Sequence, residues 1–189
     1  MSLPKKLESY LEKQNARYDV LKHRVVYTAY DLAATLHVPE LGIVKTLLLK
    51  TEQGLVLALL SAAHTLDIKK FLKAAKAKRA GILKEKDVVA LLKLGKKPLA
   101  SFGGLYRIPV ILEKALMKNK KAVFSGGSFT HSLHMLVKDF IALEKPIIAL
   151  FGNAKKLPKK KAPPKTTKKK KKQPPAVKRT FVPIRRIRK

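Results

Sequence analysis

Apolar positions recur along this chain with two periods, one helical and one extended. Leu3, Leu7, Tyr10 and Leu11 fall on one helical face, with Ser2 as a candidate N-cap and Pro4 in the first turn. Tyr18–His23 then reads as a strand. Thr28 is placed to cap a second helix running through Leu36, with Asp31 three residues on as its capping partner. Ile43–Lys50 and Leu55–Ser61 are strand-like runs separated by Thr51-Glu52-Gln53-Gly54, a natural hairpin loop. Helical spacing returns over Asp67–Lys76 and Lys84–Leu92, and strands are expected at Ile108–Leu112, Ala122–Phe124 and Ser132–Leu136. Val137–Leu143 closes the body as a short helix. No internal repeat interrupts the pattern. The sum is a mixed α/β (α+β) domain with a sheet of several strands.

Composition adds a second region to this picture. The chain has 189 residues, 43 Lys+Arg against 12 Asp+Glu, and a formal charge of +31. Seventeen of the basic residues and six of the eleven prolines lie in residues 155–189, where there is no acidic group. Self-repulsion and proline oppose packing there, so the expected organisation is a body over residues 1–154 and a disordered basic tail over 155–189. The tail's charge points to a polyanion, with Lys168, Lys169, Lys170, Lys171, Lys172, Arg185, Arg186 and Arg188 as candidate nucleic-acid contacts. With no cysteine, disulfides, thiolate metal sites and a cysteine nucleophile are excluded. The longest apolar and small-residue run, Leu55–Ala63, is nine residues, and a bilayer span needs about twenty. The N-terminal segment alternates charge with leucine and lacks the apolar core of a signal peptide. The expectation is a cytoplasmic protein with no membrane partner.

Within the body, Lys45 is out of place. In an extended run it shares a face with Ile43, Leu47 and Leu49, so it either snorkels outward or lines a pocket. In a pocket its ammonium suits a carboxylate, a phosphate or a developing oxyanion. Gly126-Gly127-Ser128 follows a short apolar strand, and paired glycines there either form an ordinary turn or let the backbone approach a ligand. Gly103-Gly104 offers the same choice more weakly. His131 and His134 point to opposite sides of a strand, and no nearby carboxylate completes a ligand set, so no metal site is expected. There is no phosphate-binding glycine loop, no G-x-S-x-G elbow and no RNA-recognition aromatic signature.

Three ordered segments carry a resemblance: Val26-Tyr27-Thr28-Ala29-Tyr30-Asp31-Leu32-Ala33, Ile43-Val44-Lys45-Thr46-Leu47-Leu48-Leu49, and Ser125-Gly126-Gly127-Ser128. Together they make the body similar to the YbaK/prolyl-tRNA-synthetase-associated editing domain family. That resemblance implies a mixed, largely antiparallel sheet flanked by helices, and an enzyme that hydrolyses the ester of mischarged tRNA in trans without a cofactor. It implies that Lys45 matches the family's essential lysine. Thr46 beside it resembles the branch that removes cysteine from tRNA for proline. Tyr27 and Thr28 match positions near the aminoacyl pocket, and Gly127 and Ser128 match its wall. The implied partner is tRNA, with a synthetase or the ribosome as further expectations. The segment Gly95–Gly103 is shorter than the family's glycine-rich loop and has Leu99 where a glycine is expected. That departure keeps open a non-catalytic RNA- or ribosome-binding protein on the same fold, and the tail keeps open a histone-like nucleic-acid-binding role.

Overall fold

The structure, a computed structural model, describes residues 3–154; the tail residues named above as nucleic-acid contacts, and the expectation of disorder there, lie outside them. Helix α1 (Lys5–Lys13) buries Leu7 and Leu11. Its N-cap is Pro4, in extended conformation, which corrects the placement of Pro4 in the first turn. The ring has no N–H to lose there, and the Pro4 carbonyl accepts from Leu7 and Glu8. Ser2, read as a cap, falls outside the described residues. Strand β1 (Asp19–Lys22) leads to helix α2 (Ala29–Leu36). Thr28 caps α2 as expected: its hydroxyl accepts from the Asp31 amide at 3.1 Å and donates to the Asp31 carboxylate at 2.7 Å.

Strands β2 (Val44–Thr51) and β3 (Gly54–Ser61) form the expected hairpin, in register from Val44–Ser61 to Thr51–Gly54. Then come β4 (His64–Leu66), α3 (Ile68–Ala75), β5 (Ala80–Ile82) and α4 (Glu85–Leu91). Asp67 stands outside α3 as its cap, accepting from the Lys69 and Lys70 amides. The chain continues through β6 (Val110–Glu113), β7 (Lys121–Ser125), β8 (His131–Leu136), α5 (Val137–Glu144), β9 (Ile147–Ala149) and β10 (Gly152–Ala154). The strand expected from Ile108 begins only at Val110.

Among the described residues the strands form three sheets. A five-stranded sheet has the order β5-β2-β3-β6-β9, a three-stranded sheet the order β1-β8-β7, and β10 pairs with β4. Pairing is antiparallel except at β3–β6 and β6–β9, giving the mixed, largely antiparallel arrangement that the resemblance implied. Both faces of the five-stranded sheet are covered, which is why Leu47-Leu48-Leu49 and Leu57–Leu60 are unbroken apolar runs. On one face Val44, Leu48, Leu57 and Leu59 pack with α1, Phe124 and Phe140. On the other, Leu49, Ala58 and Leu60 pack against Phe71 and Phe151. Each large side chain so enclosed contributes about 1.5–3 kcal/mol. A third cluster joins Leu32 and Ala33 of α2 to Ile43 and Val123, the two residues that bridge the main and three-stranded sheets. This junction positions the site, because the start of β2 and the loops at the ends of β1 and β7 meet there.

Candidate active site

Where those segments converge lies an apolar cleft of about 430 Å³, within the roughly 300–1,000 Å³ of small-molecule sites. Tyr27, Thr28, Lys45, Thr46 and Ser128 all line it. Segments about a hundred residues apart in sequence are thus brought to one cleft. Gly127, expected in the wall, is not among the lining residues; it is buried beside Ala100, Pro4 and Pro98, with φ of 65°. The lining also includes Val88 of α4 and Leu94, Lys97, Pro98 and Leu99.

Lys45 sits on β2 opposite Leu60 and is half-buried. Alternation puts it on the face of Leu47 and Leu49, as the sequence predicts, yet β5 pairs only with the far end of β2, at Leu49–Thr51. The Lys45 ammonium donates to the His64 carbonyl at 2.7 Å. That hydrogen bond fixes a four-carbon side chain that would otherwise sample many rotamers. The other charged groups on the cleft wall are Lys97 and Glu85, so basic side chains outnumber carboxylates there by two to one.

Thr46, on the opposite face of β2, belongs to a hydroxyl brace. Its Oγ1 is 2.7 Å from Ser101 Oγ, which also accepts the Ser125 amide at 2.9 Å. Ser125 Oγ donates to the Leu99 carbonyl at 2.7 Å, and the Ser101 amide donates to the Ser125 carbonyl. Ser101 is fully buried; its hydroxyl is affordable only because it is bonded. The brace ties the Gly95–Gly103 segment to the end of β7, and Leu99 adds an apolar side chain to the cleft lining. Ser101 and Ser125 were not identified as site residues from sequence. A serine beside a phenylalanine has no local pattern that announces a partner tens of residues away.

At the mouth, Tyr27 is 77% exposed and its ring lies 5.2 Å from Phe129, tilted by 54°. Thr28 reaches the cleft while its hydroxyl is engaged in capping α2. Ser128 Oγ contacts Thr130 Oγ1 at 3.3 Å. His131 is buried and His134 sits beside Asp19, confirming their opposite directions. Burial holds the His131 pKa below the ordinary histidine value, with neighbouring positive groups adding to the effect. Among the described residues no cluster of three or more His, Asp or Glu side chains is placed to hold a metal, and no helix is long and apolar enough to cross a membrane.

A cation fixed in a small apolar cleft that hydroxyl side chains also line can bind a small acyl group and stabilise charge on its carbonyl. Residues 23–143 match the family model of the aminoacyl-tRNA editing domain. The chain belongs to that family. No curated protein matches it in sequence. Three solved structures share its fold at 20% identity. A candidate trans-editing enzyme for prolyl tRNA synthetase has a TM-score of 0.65, covering 81% of this chain and 100% of its own. A hypothetical protein reaches 0.68, with 78% and 99% covered. A computationally designed scaffold for presenting an epitope reaches 0.69, with 80% and 97% covered.

Proposed function

We propose that this protein is a cytoplasmic deacylase that hydrolyses the ester of mischarged tRNA in trans. The observation that carries the reading is the position of Lys45, held on the wall of the cleft of an aminoacyl-tRNA editing domain by the His64 carbonyl. An aminoacyl ester is already activated, so positioning and charge stabilisation suffice for its hydrolysis. Lys45 orients the terminal phosphate or ribose and stabilises negative charge as it develops on the ester carbonyl oxygen. The nucleophile is water or a group of the substrate itself, and no cofactor takes part. The exposed Tyr27, paired with Phe129, suits the face of a terminal base. The cleft excludes large acyl groups by size. Thr46 favours cysteine carried on tRNA for proline, and a synthetase or the ribosome is the proposed source of that tRNA.

The basic tail, with Lys168 to Lys172 and Arg185, Arg186 and Arg188, adds affinity that does not depend on tRNA identity. Neutralising Z phosphates makes log K fall with log[salt] with a slope of roughly −0.7Z to −0.9Z. Deleting residues 155–189 should weaken all tRNAs alike and flatten that slope, with turnover at saturation nearly intact. An unchanged slope removes the tail from the binding surface.

The decisive assay measures amino-acid release from tRNAs charged with Cys, Ala, Ser and Pro, against spontaneous hydrolysis of each ester. Wild type should release one ester rapidly. Lys45→Ala should lose about 100-fold or more, in line with the loss of a charge-stabilising group, while circular dichroism shows the fold unchanged. Full activity in Lys45→Ala would refute the assigned role. Binding without release by wild type would favour a non-catalytic RNA-binding protein, a reading supported by Leu99 on the cleft wall.

A further inference from the structure

Ser132, on β8, lines the same cleft and is only 3% exposed. Its Oγ lies 2.9 Å from Nε2 of His23. The other ring nitrogen, Nδ1, lies 2.8 Å from the Arg24 carbonyl oxygen. A carbonyl only accepts, so Nδ1 carries the proton. In the neutral imidazole Nε2 is then a lone pair, and the Ser132 hydroxyl must donate to it. For the neutral ring, the direction of this hydrogen-bond chain follows from one backbone carbonyl. The consequence for the cleft is specific. With its hydrogen committed to His23, Ser132 can present only oxygen lone pairs to whatever enters a cleft whose lining also includes the apolar Val26, Leu32 and Val44.

We propose that Ser132 is a specificity-determining residue of this cleft, selecting small aminoacyl groups whose side chain ends in a hydrogen-bond donor over alanyl, and that His23 is the positioning residue that sets its polarity. The inference rests on the reading that the cleft receives the aminoacyl end of tRNA. A hydroxyl is the best side-chain donor for this acceptor, and a thiol a weaker one. An alanyl group offers no donor to the Ser132 lone pairs, so it forgoes a hydrogen bond that a seryl group makes.

Binding, rather than turnover, tests this. Calorimetric titration of the full chain would use non-hydrolysable 3′-amide analogues of seryl-adenosine and alanyl-adenosine. Wild type should prefer the seryl analogue by about tenfold or more. Ser132→Ala and the near-isosteric Ser132→Cys, a poor acceptor, should bring the two affinities together, whereas Ser132→Thr should keep them apart. His23→Phe should reduce the preference several-fold, and His23→Gln, whose amide oxygen can still accept from Ser132, should retain most of it. A purely structural role would lower melting temperature without moving the ratio. Equal affinities in wild type, no binding of either analogue at millimolar concentration, or a preference that survives Ser132→Ala would each overturn the proposal. Because no ester is cleaved, absence of deacylation in the tRNA assay would leave this result standing and tell against catalysis alone.

Discussion

Gly103-Gly104 and Gly126-Gly127 look alike in sequence, each pair within two residues of a buried phenylalanine, Phe102 or Phe124, yet glycine is demanded for different reasons. At Gly103 the backbone is ordinary and space decides: a Cβ would run into the Ile108 carbonyl and the Val110 side chain. At Gly104 it would meet the ring of Tyr10, whose hydroxyl donates to Glu144 at 2.8 Å. At Gly127 there is room, with Ala100, Pro4 and Pro98 all at 3.5 Å or more, and the backbone decides, at a φ of 65°. The first pair is filled by the core, and so is Gly126, where a Cβ would meet the Leu3 side chain and the His131 carbonyl. Gly127 alone shapes the turn that leads to Ser128. A glycine doublet therefore says little about ligands until the atoms opposite it are known.

The contrast can be broken most forcefully at the first pair. Gly103→Ala should cost about 2–4 kcal/mol, since a backbone carbonyl cannot step aside. The loss should appear as a large drop in Tm, with cleft binding per folded molecule unchanged; a near-neutral Tm would show that the loop yields. Gly127→Ala should cost only about 1–2 kcal/mol from left-handed strain, but should impair deacylation more than stability by displacing Ser128. Gly127→Asn, which tolerates that conformation, should recover most of both. If alanine and asparagine behave alike, backbone strain is not what the turn requires.

The smallest effect is expected at Glu144, which accepts from Gly104 at 2.9 Å and from Tyr10. Burial raises its pKa above 4.5, outweighing the hydrogen bonds that lower it. With the folded value above the unfolded one, the favourable contribution is complete below the ordinary glutamate range. It is lost as pH rises through the folded value. Glu144→Gln should therefore gain on wild type by a few degrees in Tm between pH 4.5 and 8, and scans at the two pH values check the sign. A parallel pair of curves would place the carboxylate in solvent.

Legibility in the sequence followed the range of the interaction. The β2–β3 hairpin and the Thr28 cap are local, and both could be read from spacing. Lys45 was legible as an anomaly because a lysine among Ile43, Leu47 and Leu49 violates alternation. The three-residue strands β4, β5, β9 and β10 could not be read, because each owes its extended form to a partner: β10 pairs with β4 across about 88 residues. The Thr46–Ser101–Ser125 brace was invisible for the same reason. Ser132 was read only as the start of one strand, and His23 only as the end of another. Their joint meaning depends on a register, Leu21 opposite Ser132, that no local pattern encodes.

That register also governs the order in which the molecule can be assembled. Among the described residues β1 has no strand partner except β8, and β4 none except β10. A nascent chain therefore carries β1 unpaired until β8, more than a hundred residues later, leaves the ribosome. Non-local pairing of this kind slows folding, and the wall bearing Ser132 and His23 is among the last parts to close. Growing chains released before residue 131 should be recognised by chaperones and proteases through an unsatisfied strand near their N-terminus, while complete chains escape that surveillance.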